Sequence, residues 1–328
     1  MTATHNVVGI GNAIVDILVH ADDDFLVANG LTKGSMTLID AARADELYGR
    51  MGPAIEISGG SAANTMAGVA SLGGRAAYIG KICTDQLGEV FRHDIRAIGV
   101  DFETAPVVGA PPTARSLIVV TPDGQRTMNT MLGACVELGP ADIDEPAITG
   151  AQVTYMEGYL WDKPTAKEAF LKAATIAHDA GRRVSLTLSD TFCVERHRDS
   201  FRDLVAGHVD ILFGNDHEVM ALYQVGSLDE AVDAVRGECE VAAITRGAKG
   251  SLILNGDERF EVAAEPVARI VDSTGAGDLY AAGFLYGFTD GRHPEECGRL
   301  GSIAAAEVIS HIGARPEGSL AKLTARSA

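Results

Sequence analysis

Short apolar runs rich in β-branched residues alternate along the chain with longer amphipathic stretches. The short runs at residues 6–10, 76–80, 153–156, 183–188, 209–213 and 241–245 are typical of buried strands. The longer stretches at 61–72, 86–98, 165–180 and 228–235 have the spacing of helices. This alternation predicts a single α/β domain over residues 1–328, with a mostly parallel sheet sandwiched between two layers of helices, as in Rossmann-like folds.

One region breaks the alternation. Residues 113–121 and 126–131 are extended runs separated by Pro122, Asp123 and Gly124, a pattern that predicts a β-hairpin. With strands from 14–20 and 35–39, the hairpin is expected to form a small sheet that covers a site as a lid, drawn from about 14–39 and 110–132. An ordinary hairpin at the edge of the main sheet remains the alternative.

The stretch from Asp272 to Asp278, Asp-Ser-Thr-Gly-Ala-Gly-Asp, precedes an apolar helical run. Gly275, Ala276 and Gly277 allow several backbone N–H groups to point at one spot, and the start of a helix adds its positive dipole end, so the segment predicts an anion site. Asp278 in the first helical turn would repel a phosphate unless it accepts a proton from an attacking hydroxyl, which is the general-base role in phosphoryl transfer. Simple helix capping is the alternative.

The charge balance narrows the partners. The 328 residues carry 27 basic and 45 acidic side chains, a net charge of −18, which argues against nucleic acid and anionic membrane. A phosphate site in so acidic a chain must depend on backbone dipoles and a metal ion. The five cysteines show no zinc or disulfide spacing, and neither a signal peptide nor a membrane-spanning run is present, so we expect a cytoplasmic protein.

Polar residues follow the first strand and a second glycine turn. Asn12 and Asp16 could hydrogen-bond the hydroxyls of a substrate, and because a carboxylate can accept from both hydroxyls of a vicinal diol, a sugar is the natural expectation. Gly60 belongs to a glycine turn that opens a helix, and Asn64, one turn further on, could face the same hydroxyls. A tight turn with a capping serine explains this second segment equally well.

Two further segments follow strands, where open α/β sheets bind ligands. Asn215 and Glu218 have the spacing of a capping box, yet Glu218 could also hold the waters of a Mg²⁺ ion bound to nucleotide phosphates. Thr245, Gly247 and Gly250 could contact phosphates or ribose, with a plain turn as the alternative.

Together these segments resemble the PfkB or ribokinase-like family of small-molecule kinases over essentially the whole chain. Two family signatures match, the glycine-rich segment at 59–64 and the segment at 272–278, and the motifs at 215–218 and 245–247 lie between them in the right order. Within the family the segments at 11–17, 132–135 and 209–215 are most similar to those of adenosine kinases.

The resemblance implies a ribokinase-like fold and a role for each motif. Asp278 would be the base, with the N–H groups of Gly275, Ala276 and Gly277 forming the anion hole. The implied substrate-binding residues are Asn12, Asp16, Gly60 and Asn64 at the ribose, with Ser116, Leu132, Tyr159 and Trp161 where the base pocket would lie. The implied ATP-binding residues are Asn215, Thr245, Gly247, Gly250 and Thr274, with Glu218 and Asn215 holding Mg²⁺ through water.

The implied activity is transfer of the γ-phosphate of ATP to the primary 5′-hydroxyl of a nucleoside, with adenosine converted to AMP in purine salvage. Ribose, fructose or a keto-deoxy sugar acid remain alternative acceptors, the acid requiring a basic residue such as Arg115 or Arg126. Guanosine, inosine and cytidine also remain open, as does a non-catalytic nucleoside sensor. One departure from the adenosine kinases is Thr187, where they commonly carry asparagine.

The resemblance leaves assembly and monovalent cations open. A monomer and a homodimer are both compatible with the lid hairpin. A K⁺ site near Asp272 and Gly313 is implied for some relatives, but carbonyl ligands leave no side-chain signature in a sequence.

Overall fold

The computed structural model describes residues 3–109 and 111–326. Its strands are β1 His5–Ile10, β2 Ile14–His20, β3 Met36–Leu38, β4 Ile55–Gly59, β5 Ala76–Ile79, β6 Val100–Phe102, β7 Ala114–Val120, β8 Arg126–Met131, β9 Ala151–Glu157, β10 Arg183–Thr187, β11 Ile211–Asn215, β12 Val241–Thr245, β13 Ser251–Asn255 and β14 Glu258–Val262. Its α-helices are α1 Asp23–Ala28, α2 Ala41–Tyr48, α3 Ser61–Ser71, α4 Gln86–Ala97, α5 Glu145–Gly150, α6 Pro164–Asp179, α7 Thr191–His208, α8 Asp216–Tyr223, α9 Leu228–Arg236, α10 Ala276–Thr289, α11 Pro294–Val308 and α12 Leu320–Arg326.

Nine strands form the main sheet, in the order β14-β13-β12-β11-β10-β9-β1-β5-β6. The seven strands from β12 to β6 pair in parallel, and β13 and β14 add an antiparallel hairpin at one edge. Apolar side chains bury both faces, since one core cluster packs under α3, α10 and α11 and the other under α6, α7 and α9. The predicted three-layer fold with a mostly parallel sheet is confirmed.

The second sheet has five strands in the order β3-β8-β7-β2-β4. The hairpin expected at 113–131 is present as β7 and β8, and it pairs with β2 and β3 in this small sheet, not at the edge of the main one. One face of the sheet packs on α2 and α4. Two elements were not predicted from the sequence: β4, which begins Ile, Glu, Ile before the glycine turn, and the edge hairpin of β13 and β14.

Two helices of the same layer, α3 and α10, pack closely side by side. A Cβ atom at Gly68 of α3 would lie 2.5 Å from the Cβ of Ala282 and 2.7 Å from Leu279 on α10, so only glycine permits this approach. Both helices begin at glycine turns, Gly60 before α3 and Gly275 before α10. Their packing therefore brings the first turns of the two helices together.

In the described residues, none of the helices combines the length and apolarity that a bilayer crossing needs.

Candidate active site

Asp278 lies where the first turns of α3 and α10 meet. Its Oδ1 accepts a hydrogen bond from the Ser61 hydroxyl at 2.6 Å, and its Oδ2 accepts one from the Asn64 amide at 3.0 Å. Burial raises the pKa of Asp278 above its ordinary value, and these two hydrogen bonds oppose the rise. A half-buried carboxylate with a raised pKa and a fixed orientation is suited to take a proton from a hydroxyl.

The turn before Asp278 has the shape of an anion site. Gly275 has a φ of 78°, and a Cβ atom there would lie 2.8 Å from the Cα of Ala314, so the residue must be glycine. Gly277 is exposed, and a Cβ atom there would meet no atom within 4 Å. The protein's own packing therefore gives no reason for glycine at 277, and the free space lies at the positive end of helix α10.

The residues expected at a sugar also converge here. Gly60, with a φ of 94°, lies so close to the Asn12 carbonyl that a Cβ atom would overlap it, which ties the glycine turn to the end of β1. Asp16 on β2 packs against Gly59. Burial raises the pKa of Asp16 to about 6, Arg126 and Arg315 lower it, and Asp278 raises it, so Asp16 lies near three other charged groups.

Glu157, which was not predicted from the sequence, lies at the end of β9 with 1% of its surface exposed. Its Oε2 accepts from the N–H of Ala62 at 2.9 Å and of Asn12 at 3.3 Å, and its Oε1 accepts from the Asn12 side-chain amide at 2.8 Å. The Asn12 side-chain oxygen is buried and makes no hydrogen bond within the described residues. Glu157 thus fixes the orientation of Asn12 so that the Asn12 side-chain oxygen is left as an unused hydrogen-bond acceptor.

We expect Glu157→Gln to raise the KM for the acceptor roughly tenfold and to change the KM for ATP much less. The glutamine NH₂ would face the Asn12 NH₂, so the Asn12 amide must rotate and present a donor where it now presents its free acceptor. The resulting mismatch with a substrate hydroxyl costs about 1–3 kcal/mol. Steady-state kinetics with each substrate varied in turn measure both constants. Equal changes in the two would contradict this role of Glu157.

The same variant tests the pKa of Glu157, which burial raises to about 7. A raised carboxyl pKa gives stability that is complete below the unfolded value near 4.5 and is lost as pH rises through 7. Since glutamine does not titrate, the melting temperature of Glu157→Gln relative to wild type should rise between pH 5 and pH 8, as thermal unfolding at both pH values would measure.

Three neighbouring strands end at the edge of the sheet that carries Glu157. In the parallel register, Thr187 pairs with Glu157 and Phe213, and Asn215 pairs with Thr245. The distance from β9 to β12 is three strand spacings, roughly 14 Å. The residues expected on the nucleotide side therefore lie in a row that leads away from Asp278.

Asn215 and Glu218 form the capping box of α8. The Asn215 side chain accepts from the Glu218 N–H at 2.9 Å, and Glu218 Oε2 accepts from the Asn215 N–H at 2.9 Å. Burial raises the pKa of Glu218 to about 7, with Asp190 and Asp216 adding to the rise. A positive charge nearby, such as a bound cation, would favour the ionised form of this carboxylate.

The remaining expected residues differ in their surroundings. Gly250 has two structural reasons to be glycine, a φ of 81° and a Cβ position that would overlap the Val262 carbonyl. A Cβ atom at Gly247 would meet no atom within 4 Å, and only its φ of 56° favours glycine. The Thr274 N–H donates to Asp272 Oδ1 at 2.9 Å, within the turn that precedes Asp278.

The residues expected at a base pocket divide into two groups. Ser116 is paired in register with Asp16 and shares its face of the small sheet, and Leu132 follows β8. Tyr159 is 38% exposed, and its hydroxyl donates to the Ser189 carbonyl at 3.2 Å. The expectation that Trp161 lines the base pocket was wrong. Its ring is buried in the core, where it stacks on Phe201 and donates to Ser200 at 2.9 Å.

Neither arginine of the hairpin is free for an anionic acceptor. Arg126 forms an ion pair with Asp272 at 2.6 Å, with the two side chains 7% and 5% exposed. Arg115 pairs with Asp45 of α2, on the opposite face of the sheet from Ser116. A third arginine that the sequence analysis missed, Arg315, donates from Nε to Asn64 Oδ1 at 3.1 Å.

Comparison with known proteins gives the class of molecule to which this site belongs. Residues 30–320 match the model of the pfkB family carbohydrate kinases, and the chain belongs to that family. It is therefore a phosphotransferase with an alcohol group as acceptor, as the sequence analysis predicted.

Individual relatives differ in the substrate that their names give. The crystal structure of adenosine kinase from Sinorhizobium meliloti is 56% identical, with a TM-score of 0.92, and the match covers 99% of this chain and 100% of that one. A probable sugar kinase from Rhizobium etli is 55% identical, with a TM-score of 0.92 and coverage of 100% and 99%. Cytidine kinase of Thermococcus kodakarensis is 29% identical over 284 residues, 85% of this chain and 97% of the relative.

Proposed function

We propose that the protein transfers the γ-phosphate of ATP to the 5′-hydroxyl of adenosine. The observation that best supports a phosphotransfer site is the position of the Asp278 carboxylate. Ser61 and Asn64 hydrogen-bond to it at 2.6 and 3.0 Å, and it lies beside the open turn at Gly277. A base and an anion site at one point are what attack of a hydroxyl on a phosphoryl group requires.

The ion pairs of the hairpin favour a neutral acceptor over a sugar acid bound by Arg115 or Arg126. Arg115 and Arg126, the basic residues that a carboxylate substrate would need, are both paired with aspartates. Asp16 and the free Asn12 oxygen are acceptors of hydrogen bonds and match sugar hydroxyls. Among neutral acceptors, adenosine is favoured by the 56% identity to the adenosine kinase from Sinorhizobium meliloti over nearly the whole chain.

In the proposed reaction, Asp16, Asn12 and Asn64 hold the ribose with its 5′-hydroxyl against Asp278. The hydroxyl oxygen attacks the γ-phosphorus, its proton passes to the Asp278 carboxylate, and the bond to the bridging oxygen breaks to release ADP. The N–H groups from Gly275 to Asp278 stabilise the charge of the transferred group. The small sheet, closed over the acceptor as a lid, would exclude water and so suppress hydrolysis of ATP.

The nucleotide would lie along the strand ends from Asp278 towards Thr245, with Thr274, Gly247 and Gly250 beside its phosphates or ribose. Asn215, at the end of β11, and Glu218, in the first turn of α8, are the residues that would hold Mg²⁺ through water, because this ion keeps most of its waters and needs few direct carboxylates. When bound, Mg²⁺ supplies positive charge to the phosphates.

We expect Glu218→Gln to raise the Mg²⁺ concentration for half-maximal activity roughly tenfold. In wild type this concentration should also rise as pH falls below 7, since protonation of Glu218, whose pKa is raised to about 7, removes the negative charge. The variant should show a weaker pH dependence, because it lacks this titrating carboxyl group. Mg²⁺ titrations of initial rate at pH 6 and pH 8 measure both effects.

The matched control is Glu230→Gln in the capping box of α9, where Glu230 Oε2 accepts from the Ser227 N–H at 3.1 Å. Both substitutions alter the same kind of helix cap. If Glu218 serves only as a cap, the two variants will share an unchanged Mg²⁺ titration.

The proposal is tested by ADP release with a panel of acceptors, with and without K⁺. The panel contains adenosine, guanosine, inosine, cytidine, ribose, fructose and a keto-deoxy sugar acid. The highest kcat/KM is expected for adenosine, while a higher value for another acceptor would overturn the assignment of substrate. Tight adenosine binding without ADP release would indicate a nucleoside sensor.

A further inference from the structure

Arg315 lies in the loop between α11 and α12 and is held against the turn that precedes Asp278. The Gly313 N–H donates to Asp272 Oδ2 at 3.0 Å, and Ala314 packs on Gly275. The backbone on the N-terminal side of Arg315 is therefore fixed to both ends of the turn. The side chain then extends towards α3 and is 13% exposed.

Arg315 and Asp278 contact opposite ends of the same amide. Arg315 Nε donates to Asn64 Oδ1 at 3.1 Å, and Asn64 Nδ2 donates to Asp278 Oδ2 at 3.0 Å. An asparagine amide has two orientations, and the guanidinium can only donate. Arg315 therefore allows one orientation, in which the NH₂ group of Asn64 faces the carboxylate.

The charge of Arg315 is not neutralised by a close ion pair. Its nearest carboxylate oxygen, Asp94 Oδ2, is 4.0 Å from Nη1 and already accepts hydrogen bonds from the Ser58 N–H at 2.8 Å and the Ser58 hydroxyl at 2.5 Å. Its Nη2 is buried and makes no hydrogen bond in the described part of the chain. The guanidinium thus keeps its positive charge close to Asp278.

The other ionisable groups that interact with Asp278 are neutral or negative. They are Asp16 on β2, Tyr155 and Glu157 on β9, and Tyr159 just after β9. Among these neighbours Arg315 is the cation, and its charge lowers the pKa of Asp278 against the effect of burial.

We propose that Arg315 is a positioning residue for the phosphoryl transfer, which acts through Asn64 to fix the orientation in which Asp278 receives the acceptor hydroxyl. The inference rests on the proposed role of Asp278 as the base. It adds a residue from the C-terminal loop to a site otherwise built from β1, β2, β9, α3 and α10.

Two substitutions separate the hydrogen bond from the charge. Arg315→Met removes both, so kcat should fall roughly tenfold or more and the acid limb of its pH profile should move up by about one pH unit. Arg315→Lys keeps the charge but loses the Nε donor, so kcat should fall while the limb stays in place. Arg292→Met, at a half-buried arginine paired with Asp290 and Glu296, is the matched control and should change neither.

A structural role alone would lower the melting temperature and kcat of both variants without moving the acid limb, and that result overturns the proposal. Should Arg315→Met fail to fold, Arg315→Lys decides, because wild-type kcat in that variant would exclude the role of Nε.

A second readout needs no turnover. The carboxyl group of Asp278 is titrated by carbon-13 NMR, and its signal is identified as the one lost in Asp278→Asn. The pH midpoint of this titration should be higher in Arg315→Met than in wild type. If the wild-type protein phosphorylates no acceptor of the panel, the proposed function fails. The influence of Arg315 on Asp278 is then tested by this midpoint alone. Equal midpoints in wild type and Arg315→Met would refute its influence on Asp278.

Discussion

Replacing Asp278 by asparagine is expected to lower kcat by roughly 10²-fold or more, the scale of a lost general base. The new side chain has nearly the same volume, and its oxygen can accept from Asn64 while its NH₂ donates to the Ser61 hydroxyl, so the contacts at 3.0 and 2.6 Å retain partners. It cannot take the proton of the acceptor. Both KM values should change little, because the groups that hold the substrates are intact.

Steady-state ADP release with each substrate varied in turn checks this result. Asp144→Asn, at the N-cap of α5, is the matched control, since asparagine caps helices as well as aspartate does. A kcat of Asp278→Asn within threefold of wild type would remove Asp278 from the mechanism, whatever the acceptor.

Gly277→Ala should lower kcat roughly 10²-fold and leave the fold intact. The added methyl group would meet no protein atom within 4 Å, and alanine in a helix is favoured over glycine by about 1 kcal/mol, so the melting temperature should hold or rise. Bound phosphate would be displaced by about 1 Å, and a misplacement of that size costs about two orders of magnitude in rate. Activity and stability should therefore change in opposite directions.

Two other glycines make the experiment specific. Gly207→Ala, in α7 with no atom within 4 Å of the added Cβ, should gain the same stability without losing activity. Gly275→Ala should lose stability, because its φ of 78° and the 2.8 Å approach to Ala314 both oppose a side chain. A Gly277→Ala variant with normal kinetics would show that the turn does not bind the transferred phosphate.

The sequence is informative wherever local pattern decides the structure. Alternating periodicity located the parallel strands. Asn215 and Thr245 were each expected to follow a strand, and they lie side by side at the edge where such strands end. The motif around Asp278 predicted a glycine turn and a helix start, both of which are present. These features depend on neighbours in the chain.

The rest depends on contacts between distant segments. Glu157 left one signal, an acidic residue at the end of a buried strand before a glycine, but its partner Asn12 is 145 residues away. Arg315 gave no local signal, since Asn64 is 251 residues away. Trp161 follows a strand end in sequence, yet its ring packs into the core beside Phe201, a contact that no local pattern could reveal.

The ion pair between Arg126 and Asp272 has a consequence for how the two substrates affect each other's binding. It joins the tip of the β7–β8 hairpin to the turn before Asp278, and both side chains are almost fully buried. Separating them would leave two charges poorly solvated, at a cost of roughly a few kcal/mol. A movement of the hairpin that separates this pair would also release the turn, so we expect binding at the acceptor side and at the phosphate side to be reciprocally linked.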